Sequence, residues 1–131
     1  MALNANEQFA STSVDAKLRV EALTIQPKKF AAGSGTLAQL TPVAFNTSTN
    51  QWVVWATGGA NGTGTISGFV WADEITLNAS DEVLGNVLLQ GKVHYDDIVV
   101  TGGTEGQLQT ALRVAGLREK GIIIQGLTQT S

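Results

Sequence analysis

His94 is the only histidine in the chain of 131 residues, and Asp96 follows two positions later. Imidazole is the side chain that ordinarily titrates near neutrality. On an extended strand, residues two apart share a face, so the carboxylate could orient the ring as in a catalytic pair. The same spacing suits an ordinary surface hydrogen bond. Adjacent acidic residues occur as Asp73-Glu74, Asp81-Glu82 and Asp96-Asp97. Two carboxylates can divide the work of acid and base. Neighbours on a strand point to opposite faces, however, so no such pair alone aims both groups at one substrate. Their setting predicts turn residues and solvated strand ends. The spaced acidic loop of a calcium site is missing.

Gly62-Thr63-Gly64-Thr65-Ile66-Ser67-Gly68 superficially resembles a phosphate-binding loop. Its spacing is wrong, no Lys-Ser/Thr follows, and no helix start comes next to receive an anion. The segment reads as a hairpin or surface loop. Asn46, Asn61 and Asn78 head Asn-x-Ser/Thr triplets, which read as turn composition. Trp52, Trp55 and Trp71 could stack on sugars or bases. Trp52 and Trp55 are three apart, so on one strand they face opposite sides. That predicts one in the core and the other at a subunit or partner surface.

Composition removes several classes. The chain has no cysteine, which excludes a disulfide framework, a thiolate metal site and a Cys nucleophile. A single histidine excludes a multi-His metal centre. Lys and Arg total 8 and the net charge is -3, so no basic cluster is available for a nucleic-acid backbone. No apolar run approaches the length of a membrane span. The N-terminal residues lack the charged and apolar regions of a signal peptide. The expected partners therefore include neither nucleic acid nor membrane, and no cofactor is implied. A 43% hydrophobic share fits a globular chain of roughly one domain.

The elements that would position these residues read as mainly β. Leu40–Asn46, with Pro42 demoting it to an edge or strand start, and Gln51–Ala56 flank the polar turn Thr47–Asn50 and predict a hairpin. Ile66–Ala72, Glu74–Leu77, Val83–Leu89 and Lys92–Val100 are further strands, the last two around Gln90-Gly91. Thr104 and Gln107 fit a capping box. Leu108, Ala111, Leu112 and Ala115 then form an apolar helical stripe, and Gly121 suits the C-cap. Ile122-Ile123-Ile124 predicts a closing strand.

The first 36 residues have a different texture. Residues 1–13 are polar and aperiodic. In 14–25, apolar residues alternate with charged ones, which fits a strand, yet Val14, Leu18, Ala22 and Ile25 also sit at helical spacing. Pro27, Lys28, Lys29 and the small residues 31–35 read as a tether. The segment 1–36 is thus expected to be an extended N-terminal arm and linker on a body spanning 37–131. Apolar side chains in such an arm need burial elsewhere, which points to docking on a partner.

Leu40–Ser48, then Val53-Val54-Trp55, then a Gly-rich stretch into Ile66–Asp73, resembles the head decoration protein of phage lambda and its relatives. Gly91–Ile98 (GKVHYDDI) is similar to that family's Gly-x-aromatic/aliphatic-x-Tyr-acidic-Asp-aliphatic segment. The capped helix and Ile-rich strand fall in the same order, so the resemblance covers roughly 35–124. It departs in a longer arm and in Val99-Val100, which replaces the family's Trp-Pro. The resemblance implies a small α+β body of β-clip or tulip type with one C-terminal helix. It implies a homotrimer on the outer surface of an expanded phage capsid, at three-fold and quasi-three-fold axes, cementing neighbouring major capsid protein subunits without enzyme activity. Leu18, Val20, Ala22, Leu23, Ile25, Lys28 and Lys29 are then the expected capsid-facing residues. The rival readings are a small glycan- or ligand-binding β module, using exposed tryptophan and the 57–65 loop, and an enzyme built on His94 and Asp96.

Overall fold

A computed structural model of the chain describes residues 21–72 and 74–127. The body is mainly β, with helices gathered near its C-terminal end. In chain order the elements are β1 (Glu21–Phe30), β2 (Thr36–Ala38), β3 (Pro42–Asn46), β4 (Gln51–Val54), β5 (Gly68–Val70), β6 (Glu74–Thr76) and β7 (Val83–His94). A 3-10 turn (Tyr95–Asp97), α1 (Glu105–Val114), α2 (Leu117–Lys120) and β8 (Ile122–Gln125) complete them.

The main sheet runs β1-β4-β3-β5-β7-β8, and β1 also pairs with β7. The pairing therefore closes on itself: β1 to β4 to β3 to β5 to β7 and back to β1. The β1–β7 ladder is antiparallel from Glu21 opposite Lys92 to Phe30 opposite Val83. The β1–β4 link is a single parallel bridge, Phe30 to Trp52, reinforced by the Ala31 amide donating to the Trp52 carbonyl at 3.0 Å. Outside this circuit β8 lies parallel to β7, with Gly91 opposite Ile122 and His94 opposite Gln125. The short β2–β6 pair forms a separate two-stranded sheet.

Both faces of the main sheet are covered, which explains the tryptophans. Trp55 belongs to a cluster with Leu40, Phe69, Leu88, Leu108 and Leu117, under α1 and α2. Trp52 belongs to a second cluster with Phe30, Val43, Val70, Ile75 and Val87. The two rings do face opposite sides, but each side has its own core, so neither is left at a surface. Gly85 sits where any Cβ would strike the Ile75 side chain, which lets β6 pack against β7.

α1 starts as its sequence requires. The Thr104 hydroxyl accepts from the Gln107 amide at 3.2 Å, and the Gln107 side chain accepts from the Thr104 amide at 2.8 Å. Leu108, Ala111 and Leu112 are buried. The stripe breaks at Gly116, whose left-handed φ of 67° divides the helical stretch into α1 and α2, and Gly121 caps α2 with φ 98°.

Two further expectations are corrected. Gln90-Gly91 does not separate two strands, because β7 passes through it unbroken. The register against β1 shifts between Ala22 and Thr24 and again between Thr24 and Ile25. Leu23 is the extra residue on one strand and Leu89 on the other, so the two irregularities cancel and the ladder continues. The second correction concerns the arm boundary at residue 36. Residues 21–30 are a strand of the body, so Pro27, Lys28 and Lys29 are paired strand residues, not a tether. Gly33 donates to the Asn78 carbonyl at 2.9 Å and Leu77 donates to the Gly35 carbonyl at 3.0 Å, so 31–35 is also held to the body. The arm expectation for residues 1–20 lies outside the described residues.

Phe30→Ala is expected to cost about 3–5 kcal/mol, as for a large buried aromatic at a strand junction. A Phe30→Ala midpoint equal to that of the parent would show that β1 does not close the sheet.

Candidate functional site

In an antiparallel ladder, residues directly opposite one another share a face. Ile25 opposite Leu88, Pro27 opposite Asn86 and Lys29 opposite Leu84 therefore line one side of β1 and β7. Leu88 is covered by the helical layer. Beyond that cover the side chains emerge: Leu84 is 69% exposed and Ile25 38%, with Pro27, Lys29 and Asn86 exposed beside them. Leu23, at the register shift, is 73% exposed. The result is a strip of Ile25, Pro27 and Leu84, bordered by one ammonium and one amide, on a paired backbone, with Leu23 exposed separately at the register shift.

The strip gathers some of the expected docking residues and excludes others. Leu23, Ile25 and Lys29 are presented to solvent. Ala22 is half-buried and packs against the helical-side core. Lys28 turns to the opposite face, where its ammonium sits 5.9 Å from the centre of the Trp52 ring. It acts there as a cation over an aromatic face, a correction to its expected outward role. Leu18 and Val20 lie outside the described residues. Pro27, Leu84 and Asn86 were not anticipated. Leu84 was hidden because Val83–Leu89 reads as a nearly continuous apolar run, which does not say which members face water.

The groups that could do chemistry are dispersed. Asp96 does not share a strand face with His94, because the chain enters the 3-10 turn at Tyr95 and His94 becomes its N-cap. The His94 Nδ1 accepts from the Asp96 amide at 3.2 Å, and the Asp96 carboxylate is 3.8 Å from the same nitrogen. The His94 ring rests on Gly126, where a Cβ would collide with it. Asp81 and Glu82 are exposed in the turn before β7, and Glu82 accepts from the Gln51 side chain. The Asn78 side chain accepts from the amides of Ser80 and Asp81 at 2.7 and 2.9 Å, as a turn residue does. Asp73 lies outside the described residues. Among the described residues no group of three or more His, Asp or Glu side chains is arranged to hold a metal ion.

The glycine-rich segment is a series of turns that leads into β5, not into a helix. It serves the core: the Trp55 indole donates to the Gly64 carbonyl at 3.0 Å. Trp55 and Trp52 are both buried, and Trp71 is half-buried against the helical-side core. None of the tryptophans is an open stacking platform. No protein-family model matches the chain, and no curated protein sequence matches it.

Among the described residues, Tyr95 is the group whose acidity departs clearly from its ordinary value. Its hydroxyl donates to Glu105 at 3.0 Å. Burial raises its pKa above 10.0, the Gln109 hydrogen bond opposes that, and the Glu105 bond with the charges of Glu105 and Asp96 adds to the rise. The folded state thus holds this proton more tightly than the unfolded chain. The associated stability is present below pH 10 and is lost as pH rises through the folded value. Tyr95 is the only tyrosine, so the tyrosinate absorbance titrates it alone. The midpoint is expected above 10.0, and Glu105→Gln is expected to lower it; an unchanged midpoint in that variant would contradict the assignment.

Proposed function

We propose that this protein decorates a phage capsid: that it binds the outer surface of an expanded icosahedral head as a homotrimer, at three-fold and quasi-three-fold axes, and cements neighbouring major capsid protein subunits against internal DNA pressure. The observation that carries the reading is the placement of the family-like segments. Leu40–Ser48 supplies β3 and its turn, Val53–Trp55 the end of β4 and the residue after it, Ile66–Ala72 surrounds β5, and Gly91–Ile98 joins the end of β7 to its 3-10 turn. The capped helix and the Ile-rich strand close the order.

The exposed strip supports the same reading physically. A cement needs a fixed, partly apolar surface and no reaction chemistry. Side chains already held on a paired strand lose little freedom on docking, so more of the burial, at about 25 cal/mol per Å², becomes affinity. Three copies on one trimer raise the effective concentration of the second and third contacts, which lets modest individual contacts give durable attachment. With one ammonium at the strip, binding should depend weakly on salt. Ile25, Pro27, Lys29 and Leu84 are the capsid-facing groups of this proposal.

The test is co-sedimentation and negative-stain imaging with empty expanded shells of the cognate phage. The parent protein is expected to coat the shells. Ile25→Asp with Leu84→Asp is expected to weaken coating by about a hundredfold, the scale of replacing two apolar anchors at an interface by carboxylates, while circular dichroism stays unchanged. Parent protein that leaves the shells bare, or a folded double variant that coats them as well as the parent, would overturn the proposal.

A further inference from the structure

A cleft opens beside the exposed strip, where β5 has ended and β6 lies against β7. Its volume is about 250 Å³, and Pro27, Glu74, Ile75, Thr76, Leu84 and Asn86 line it. Ile75 is buried and Leu84 is exposed, so the bottom of the cleft is apolar and so is one lip. Gly85 has no Cβ, which lets Ile75 come this close to β7. On β6, Ile75 turns inward, while Glu74 and Thr76 on either side of it turn outward. A carboxylate and a hydroxyl therefore stand on the β6 side. The Asn86 amide and the Leu84 methyls stand on the β7 side.

Polar side chains elsewhere in the body are used internally. Asn46 and Asn78 accept from backbone amides, and Thr41, Thr47 and Thr63 donate to carbonyls. Glu82 accepts from Gln51 and Glu105 from Tyr95. The side chains of Glu74, Thr76 and Asn86 make no hydrogen bond or ion pair with any described residue. Among the described residues Glu74 is also the only charged group lining the cleft; Lys29 borders the strip from β1, opposite Leu84, and does not pair with it. The cleft thus offers a negative charge over an apolar bottom. Its complement is a cation carried on an aliphatic stem. Acceptors stand on both sides: a carboxylate and a hydroxyl on β6, an amide oxygen on β7. A planar guanidinium, with several donors and weak hydration, suits them better than the compact ammonium of lysine.

We infer that this cleft binds an arginine side chain of the major capsid protein, with the stem against Pro27, Ile75 and Leu84 and the guanidinium on Glu74. The inference rests on the decoration reading and deepens it by naming the chemistry of the capsid residue. It also separates attraction from selectivity. Apolar contact along Ile25, Pro27 and Leu84 supplies burial but accepts many partners. One ion pair at the end of the strip fixes the register of docking. A surface without a cation there is rejected, because it would cover the Glu74 carboxylate and leave it unpaired.

The test uses the full chain, isotope-labelled for NMR, titrated with Nα-acetyl-arginine methylamide in the absence of shells. The amide resonances of Glu74, Thr76, Leu84 and Asn86 are expected to shift together, with a dissociation constant on the order of 1–10 mM, the scale of a single side chain. The citrulline analogue keeps the shape and loses the charge, and is expected to bind about tenfold more weakly; the arginine probe should lose as much on Glu74→Gln protein. Glu74 is exposed, so the circular dichroism of its variants should match the parent. On shells that the parent coats, Glu74→Lys is expected to weaken coating about tenfold or more, since two cations would then meet. No shift at the cleft, equal binding of the citrulline probe, undiminished binding by Glu74→Gln, or undiminished coating by Glu74→Lys would each overturn the inference. The probe contains no capsid protein, so the titration decides the cleft whether or not shells are coated; a cleft that binds arginine beside shells left bare would overturn both the decoration reading and the capsid as the source of the arginine.

Discussion

The antiparallel pairing of Glu21–Phe30 with Val83–Lys92 is the constraint on which the rest of the body depends. It brings Phe30 beside Trp52, which links the first strand to the hairpin formed by β3 and β4. It also gives β7 a neighbour on the side away from β5 and β8. Without it the sheet would be an open array with Phe30 and Val87 facing water. Burying an aromatic such as Phe30 is worth about 1.5–3 kcal/mol, comparable to a sizeable part of a small domain's net stability. The two compensating irregularities near Leu23 and Leu89 are the local cost of keeping that register. They also turn Leu23 outward.

Function follows from what this pairing displays. Polar groups are spent on structure: His94 caps a turn, Asn46 and Asn78 close turns, Thr104 and Gln107 start a helix, and the Trp55 indole is tied to the Gly64 carbonyl. What remains unspent is mostly apolar and exposed. Leu84, Ile25 and Leu23 sit on one ladder, and Ile123 sits on an unguarded edge. Surfaces of that kind recognise other surfaces by burial and strand addition. The decoration proposal assigns the capsid to the first of them.

Local signals were legible where a residue type has one structural use. The Thr104–Gln107 box, the stripe through Leu112, the Gly121 cap and the closing Ile strand all lie where the sequence places them. So do β3, β4 and the strand around Phe69. The mainly β class with C-terminal helices follows from them. Long-range pairing was not legible. Glu21–Phe30 carries Pro27 and two lysines, which mark an edge in a sheet and a linker outside one; only its pairing with β7, over fifty residues away, decides between them. Gln90-Gly91 reads as a turn until β1 lies beside it. One of Trp52 and Trp55 reads as surface-facing until a second core covers that side. The exposed strip was half legible for the same reason: Ile25 and Lys29 were expected, while Leu84 joins them only through the pairing of Lys29 with Leu84.

Amide hydrogen exchange on the full chain, free in solution, tests this account most directly. The amides of Ile25 to Phe30 that lie in the β1–β7 ladder should be protected to the same degree as those of Val87 to Val93 and should open with them as one unit. Exchange of Ile25–Phe30 at the rate of an unstructured peptide, with β7 still protected, would mean that the first strand is a free strap, and the closed sheet with its fixed docking strip would be wrong.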